Sequence, residues 1–149
     1  MRRIIQFIAS AVGVIGLADA IYLTVHHYTA TAVPCGLTGG CETVLTSAYA
    51  EIFGLPLGVY GAAAYFTAFA LAFLAAYGND LAWKLFGVLA TTMILFSAWL
   101  IFVQAYYINA WCQFCLLSAL TSTTLFVLYI VSLVMRPSSD EALDPSDIR

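Results

Sequence analysis

The sequence predicts an all-α membrane protein: a bundle of four transmembrane helices with a short surface helix over its outer end. Three observations carry this prediction. The first is composition: of 149 residues, 63% are hydrophobic and 9% charged, and the mean hydropathy is +0.96. The second is the placement of charge, because only Asp19, Glu42, Glu51, Asp80 and Lys84 fall between Ile4 and Met135. A soluble domain could not cover its core with so little polar surface. The third is a set of four apolar stretches, near 4–28, 55–77, 81–107 and 114–135. Each is long enough to cross about 30 Å of hydrocarbon, which takes ~20 helical residues. No basic patch exists, so nucleic acid is excluded as a partner.

Span one has a basic start, Arg2-Arg3, but no small-residue cleavage site, and it runs past signal-peptide length. It is therefore expected to be retained. In the loop His26–Gly54, the stretch from Cys41 to Phe53 puts Val44, Leu45, Ala48 and Ile52 on one helical face. Glu42, Thr43, Thr46, Ser47 and Glu51 fall mostly on the other. This pattern predicts a helix lying on the membrane, apolar side down, as a lid over the bundle. Span two opens with Pro56, tolerated in a first turn. Gly54 and Gly58 form a GxxxG spacing followed by Gly61-Ala-Ala-Ala64, a smooth face for another helix. The turn Gly78-Asn79-Asp80 leads to span three, and the turn Asn109–Gln113 to span four. Residues 1–136 thus read as one transmembrane domain; the polar tail 137–149, with two prolines, reads as disordered.

Arg2, Arg3, Lys84 and Arg136 all fall on one side of a four-span chain, and no Lys or Arg lies in either opposite loop. The positive-inside rule then makes both termini cytoplasmic in a multi-pass protein of the cytoplasmic membrane. The long loop and the turn at Trp111 face the periplasmic or extracellular side. All four cysteines lie there: Cys35 and Cys41 in the loop, Cys112 and Cys115 at the start of span four. In a bacterium that compartment permits disulfides.

Two inert disulfides in a non-enzymatic membrane adaptor, or a zinc site, are the plain readings of four cysteines. The spacing of Cys35 and Cys41 does not suit zinc, and no metal is expected. Redox chemistry fits better. Helical side chains three apart have Cβ atoms about 5–6 Å apart, whereas a disulfide wants about 3.8 Å. Cys112-Gln-Phe-Cys115 can bridge only through an irregular first turn, and such a bridge is easily reduced. Unpaired N–H groups at the same helix start favour a thiolate. Three glycines lie between Cys35 and Cys41, giving a linker suited to a pair that must face first a partner and then the bundle. A thiol relay in a membrane needs a two-electron acceptor. Tyr106, Tyr107, Trp111 and Phe114, with Phe53 and Tyr49 beneath the loop helix, form an aromatic setting for a quinone ring. Taken singly, each of these aromatics reads more readily as part of an interfacial belt.

The order of motifs is a spaced pair, Cys35 and Cys41, continuing as Cys41-Glu-Thr-Val-Leu-Thr-Ser47. It is followed by Ile52-Phe53-Gly54-Leu55-Pro56 with Gly61, and then by Trp111-Cys112-Gln-Phe-Cys115. Together with Gly16-Leu17 and Tyr22-Leu23, this resembles the vitamin K epoxide reductase family, in its bacterial, quinone-reducing branch. The resemblance implies an oxidoreductase that takes electrons from a thioredoxin-like, DsbA-type partner and gives them to a membrane quinone, menaquinone or ubiquinone. It implies that Cys35 exchanges with the partner, Cys41 passes electrons to Cys112, and Cys115 faces the quinone. Ser47 matches a family serine and joins Phe53, Tyr49, Trp111 and Phe114 as a candidate quinone contact. Ala50 and Ala119 stand where vertebrate members carry Asn and Tyr, which speaks against epoxide reduction. With no thioredoxin domain after span four, the partner is expected to be a separate protein. A DsbB-type quinone reductase also has four spans, but there the CxxC pair comes first.

Asp19, inside span one, is an intramembrane carboxylate, and such groups are functional candidates by default; the expectation here is a neutral or hydrogen-bonded acid. His26 and His27 read as interfacial residues. Asn109, Gln113 and Ser118 are either quinone-orienting groups or ordinary helix-end polar residues. Orientation is directly testable. A reporter fused after Arg149 should be active only in the cytoplasm, and a membrane-impermeant thiol reagent should label reduced Cys35 on intact cells. An externally active reporter would overturn the orientation.

Overall fold

In hydrocarbon no water is available to backbone N–H and C=O groups, so an apolar chain must satisfy them internally as helix. The computed structural model describes residues 1–36 and 39–135. Arg136 and the tail expected to be disordered, 137–149, lie outside the described residues. The elements in order are α1 (Arg2–Thr29), α2 (Cys41–Leu45), β1 (Glu51–Ile52), β2 (Leu55–Pro56), α3 (Leu57–Ala76), α4 (Asp80–Val103) and α5 (Gln113–Val134). A π-helical turn, Gln104–Ile108, extends α4. Helices α1, α3, α5 and the continuous Asp80–Ile108 segment are each long and apolar enough to span a membrane. The chain is a multi-pass, four-helix membrane protein. Connectivity puts the start of α1, the α3–α4 turn and the end of α5 at one end of the bundle. The cysteine-bearing loop and the 109–112 turn share the other.

Helix ends follow local chemistry. Ala30 takes a left-handed conformation (φ 50°) and closes α1 with its N–H on the carbonyls of His26 and His27. Asn79 caps α4, its side chain accepting from the Ala82 N–H at 3.0 Å. Arg2 and Asp80 pair across this end, tying α1 to the α3–α4 turn.

Small residues let α1 and α3 approach closely. A Cβ on Gly13 would lie 3.3 Å from the Phe69 backbone, and one on Gly58 would lie 3.1 Å from the Ala20 carbonyl. The GxxxG expectation needs correction, because Gly54 is not on this interface. It sits in the β1–β2 turn with φ 76°; Gly13, Gly16, Gly58 and Gly61 make the smooth face instead. Gly16 lies directly against the ring of Tyr65. The Tyr65 hydroxyl donates to the Ser118 carbonyl at 2.7 Å and meets the hydroxyls of Thr121 and Ser122 at 2.7 and 3.0 Å. A polar knot thus joins α3 to α5 inside an apolar bundle. Trp83 does the same from α4, donating to Ser132 at 2.8 Å.

The loop helix is shorter than the sequence pattern predicts. It spans Cys41–Leu45 and does not continue to Phe53. Hydroxyls and backbone capture its last carbonyls: Thr46 Oγ1 donates to Glu42 O and Ser47 Oγ to Val44 O, both at 2.7 Å. The chain then forms a hairpin in which Phe53 (φ 53°) and Gly54 (φ 76°) are both left-handed, as a type I′ turn requires. Span two accordingly begins as helix at Leu57, since Leu55-Pro56 pair with β1. Of the face expected to point down, Val44 is buried but Ala48 is exposed, and Ala50 is buried in its stead.

Gly16→Ala should push its new methyl into the Tyr65 ring and destabilise the protein by about 1–3 kcal/mol, the range for overpacking. Gly36→Ala, at a site with open space around it, should leave thermal unfolding in detergent unchanged. Equal midpoints for the two variants would contradict this packing.

Candidate functional site

Cys35 and Cys41 are joined as a disulfide, with Cα atoms 5.8 Å apart. Cys112 and Cys115 are free thiols. The two pairs meet. Cys41, Val44 and Cys112 form one buried cluster, with Cys35, Leu45, Phe114 and Cys115 packed against it. Cys41 and Cys112 are both fully buried, whereas Cys35 and Cys115 retain some accessibility.

Gly40 makes this meeting possible. A Cβ there would lie 2.9 Å from both the N and the O of Trp111, so any other residue would hold the loop away from the turn that carries Cys112. The glycine linker therefore supplies close approach as well as freedom. Gln113 adds a second tie, donating from Nε2 to the Pro34 carbonyl at 3.3 Å.

At the start of α5, Cys112 occupies the cap position with extended backbone (φ −102°, ψ 117°). Its N–H donates to Oε1 of Gln104 at 3.1 Å. Gln104 is 2% exposed and its side chain also stands next to the Cys115 thiol, so one buried amide serves the backbone of Cys112 and the neighbourhood of Cys115. The widened π-helical turn carries Gln104, and Asn109 (φ 53°) reverses the chain after it; π turns recur at functional sites. The Cys112 thiol is pulled down to about 7, chiefly by a hydrogen bond from the Cys115 side chain. Backbone N–H groups of Cys115 and Phe114 assist, while burial and the Asp19 charge oppose. Cys112 is thus the thiolate-prone member of its pair.

Beneath the loop lies a partly open cavity of about 360 Å³, lined by all four long helices and roofed by Val44, Leu45, Ser47, Tyr49, Ala50 and Ile52. Cys115 opens into it, as do Asp19, Gln104 and Ser118. Its size, its mostly apolar wall and its few converging polar groups suit a small flat ligand. Ser47 and Tyr49, both expected near a quinone, line this cavity. Phe53, Trp111 and Phe114 do not. Phe53 is 98% exposed at the hairpin tip, where the turn directs it outward. Trp111 lies on the 109–112 turn, and Phe114 packs on Tyr22, with ring centroids 5.2 Å apart. Tyr106 and Tyr107 are largely exposed, as belt residues are. Ser118 lines the cavity; Asn109 and Gln113 serve the backbone turn and the loop tie. His27 pairs with Glu51 at 3.1 Å, and His26 Nδ1 lies 2.8 Å from Thr31 Oγ1.

Sequence reasoning missed Gln104 and Tyr65. Both are polar groups in apolar spans, and that alone is a signal, since such groups demand partners in hydrocarbon.

Titrating thiolate absorbance with the loop disulfide intact should give a midpoint near 7 for Cys112. Cys115→Ala removes the main donor to the thiolate, so the midpoint should rise toward the ordinary thiol value of ~8.5. An unmoved midpoint would exclude Cys115 as the cause. Gln104→Ala orphans a buried N–H and should cost about 1–3 kcal/mol of stability.

Comparison with known proteins agrees with this geometry. The profile of the Vitamin K epoxide reductase family matches residues 7–130, a span that includes all four cysteines. Thiol-disulfide oxidoreductase LTO1 of Arabidopsis thaliana is 34% identical over 124 residues, covering 76% of this chain and 33% of that protein. The chain thus spans about a third of that relative's length. With its four membrane helices, this protein belongs to the vitamin K epoxide reductase family.

Proposed function

We propose that this protein is a membrane thiol:quinone oxidoreductase that reoxidises a thioredoxin-like partner and so drives disulfide formation. One observation carries the reading. A free dithiol, Cys112 and Cys115, stands between the buried end of a loop disulfide and an apolar cavity. A relay needs that arrangement: an entry pair at the surface, an exit pair at the acceptor, and contact between them.

The chemistry follows from exposure. A partner thiolate attacks the loop disulfide at Cys35, the more accessible sulfur, and expels Cys41 as a thiolate. With both pairs oxidised, Cys41 attacks Cys112, its neighbour in the buried cluster, and releases Cys115. The partner's second thiol resolves its mixed disulfide with Cys35; Cys35 then resolves the Cys41–Cys112 bond and restores the loop disulfide. Two electrons now rest on Cys112 and Cys115. A bound quinone supplies a two-electron, two-proton acceptor in the cavity. Ser47, Tyr49 and Gln104 are the groups able to orient its carbonyls, and re-formation of Cys112–Cys115 completes the turnover. The Cys112 thiolate, favoured near neutral pH, makes that re-formation fast. The partner is a thioredoxin-like domain of the DsbA type, the membrane is the cytoplasmic membrane, and the cysteine end faces outward.

Purified protein with a reduced thioredoxin-like partner should reduce a benzoquinone or a naphthoquinone, and replacing any one cysteine by Ser should abolish this. Cys115→Ser should also accumulate a Cys41–Cys112 crosslink, and Cys41→Ser a long-lived mixed disulfide between Cys35 and the partner. No reduction of either quinone class would sink the enzyme reading. A Cys35–Cys112 link would reverse the loop roles, and no inter-pair link in any variant would leave two independent structural bridges.

A further inference from the structure

Asp19 has no structural task that accounts for it. It lies in mid-α1, only 8% exposed, and its Oδ2 is buried without a hydrogen-bond partner among the described residues. An unsatisfied buried carboxyl costs free energy that an apolar residue would not. The same side chain lines the cavity into which Cys115 opens.

The other titratable groups on the cavity wall are engaged. His27, from α1, pairs with Glu51. From α3, Tyr60 donates to the Ile52 carbonyl, and Tyr65 is held by Ser118, Thr121 and Ser122. Tyr49, from the loop, packs its ring against Tyr107 and Trp99. Helix α4 offers no titratable side chain to the cavity, and α5 offers Cys115. Among these groups Asp19 is the one with a buried oxygen still open to a proton partner.

We propose that Asp19 is the proton-exchanging group of the cavity, taking the Cys115 thiol proton as the Cys112–Cys115 bond forms and supplying a proton to the electron acceptor. This deepens the quinone reading and rests on it for the acceptor. The balance is complete. Forming the S–S bond releases two electrons and two protons, and a quinone becomes a hydroquinone by taking up two of each. The Asp19 carboxylic acid gives its proton to the acceptor oxygen and is reprotonated by Cys115. The Cys112 proton leaves at the loop end of α5, and the acceptor's other proton enters from the same side. The carboxyl ends as it began.

Asp19→Asn preserves shape and removes the transferable proton. In full-length protein in detergent, it should leave reduction of the Cys35–Cys41 disulfide by dithiothreitol unchanged. It should slow quinone reduction by roughly 100-fold or more, the lower end of the range for acid–base catalysis. Asp19→Glu should restore much of the rate. A second readout uses wild-type protein with isotope-labelled aspartate and no quinone. Asp19 is protonated in both states, but loss of the Cys115 S–H changes its hydrogen-bond surroundings. The infrared difference between the dithiol and disulfide states should therefore contain a carboxylic-acid band that shifts in heavy water and is absent in Asp19→Asn. Normal quinone reduction by Asp19→Asn overturns the proposal and leaves the relay standing. If wild-type protein reduces no quinone, the acceptor assignment falls and the infrared band alone decides Asp19. A missing band overturns the proposal in either case.

Discussion

The contact on which the site depends is the close approach of Gly40 to the backbone of Trp111. Everything chemical in the molecule is concentrated where the loop meets the start of α5. There a disulfide, a dithiol and the mouth of an apolar cavity share a few residues of chain. A side chain at Gly40 would lift the loop and part Cys41 from Cys112. The bundle below is built to hold that contact. The hairpin is fastened to α3 by Tyr60 and by the Leu57 N–H, which donates to the Ala50 carbonyl at 2.9 Å. Its near end is fastened to α1 through His27 and Glu51.

A bilayer protein gains little from burying one apolar helix face against another, because lipid is as apolar as the core. Close contact and polar ties must specify the arrangement instead. Here Gly13, Gly16, Gly58 and Gly61 bring α1 and α3 together, and the Tyr65 hydroxyl binds α5. Gln104 belongs to the same class, but its tie reaches the backbone of Cys112, at the CxxC pair. Polar groups inside this bundle thus divide into those that hold helices and those that hold chemistry. Asp19, with an unpaired oxygen on the cavity, joins the second under the proton-exchange proposal.

The four spans were legible because length and apolarity are sufficient to define a membrane helix. The gathering of the four cysteines at one end was legible too, since an even number of spans puts both loops there. Finer features depended on interactions that no periodicity records. The loop helix stops at Leu45 because Thr46 and Ser47 take its carbonyls, and the apolar pattern continues past them regardless. Gly54 matched a helix-packing motif but serves a turn that needs positive φ. Phe53, Trp111 and Phe114 are aromatics near the cysteines in sequence, yet the Tyr and Phe rings that line the cavity are those of Tyr49, Tyr60, Tyr65 and Phe96. Gln104 belongs to no motif, and only the π-helical turn brings it to the CxxC pair.

In the proposed relay the two cysteine pairs act in series through the Cys41–Cys112 contact. The most direct measurement is a single turnover of protein with both pairs oxidised, mixed with one equivalent of a dithiol, quenched at intervals and mapped by mass spectrometry. Free thiols should appear first at Cys35 and Cys41, pass through a transient Cys41–Cys112 species, and settle on Cys112 and Cys115 with the loop disulfide restored. Thiols that stay on whichever pair the dithiol first reaches, with no inter-pair species at any time, would contradict the account.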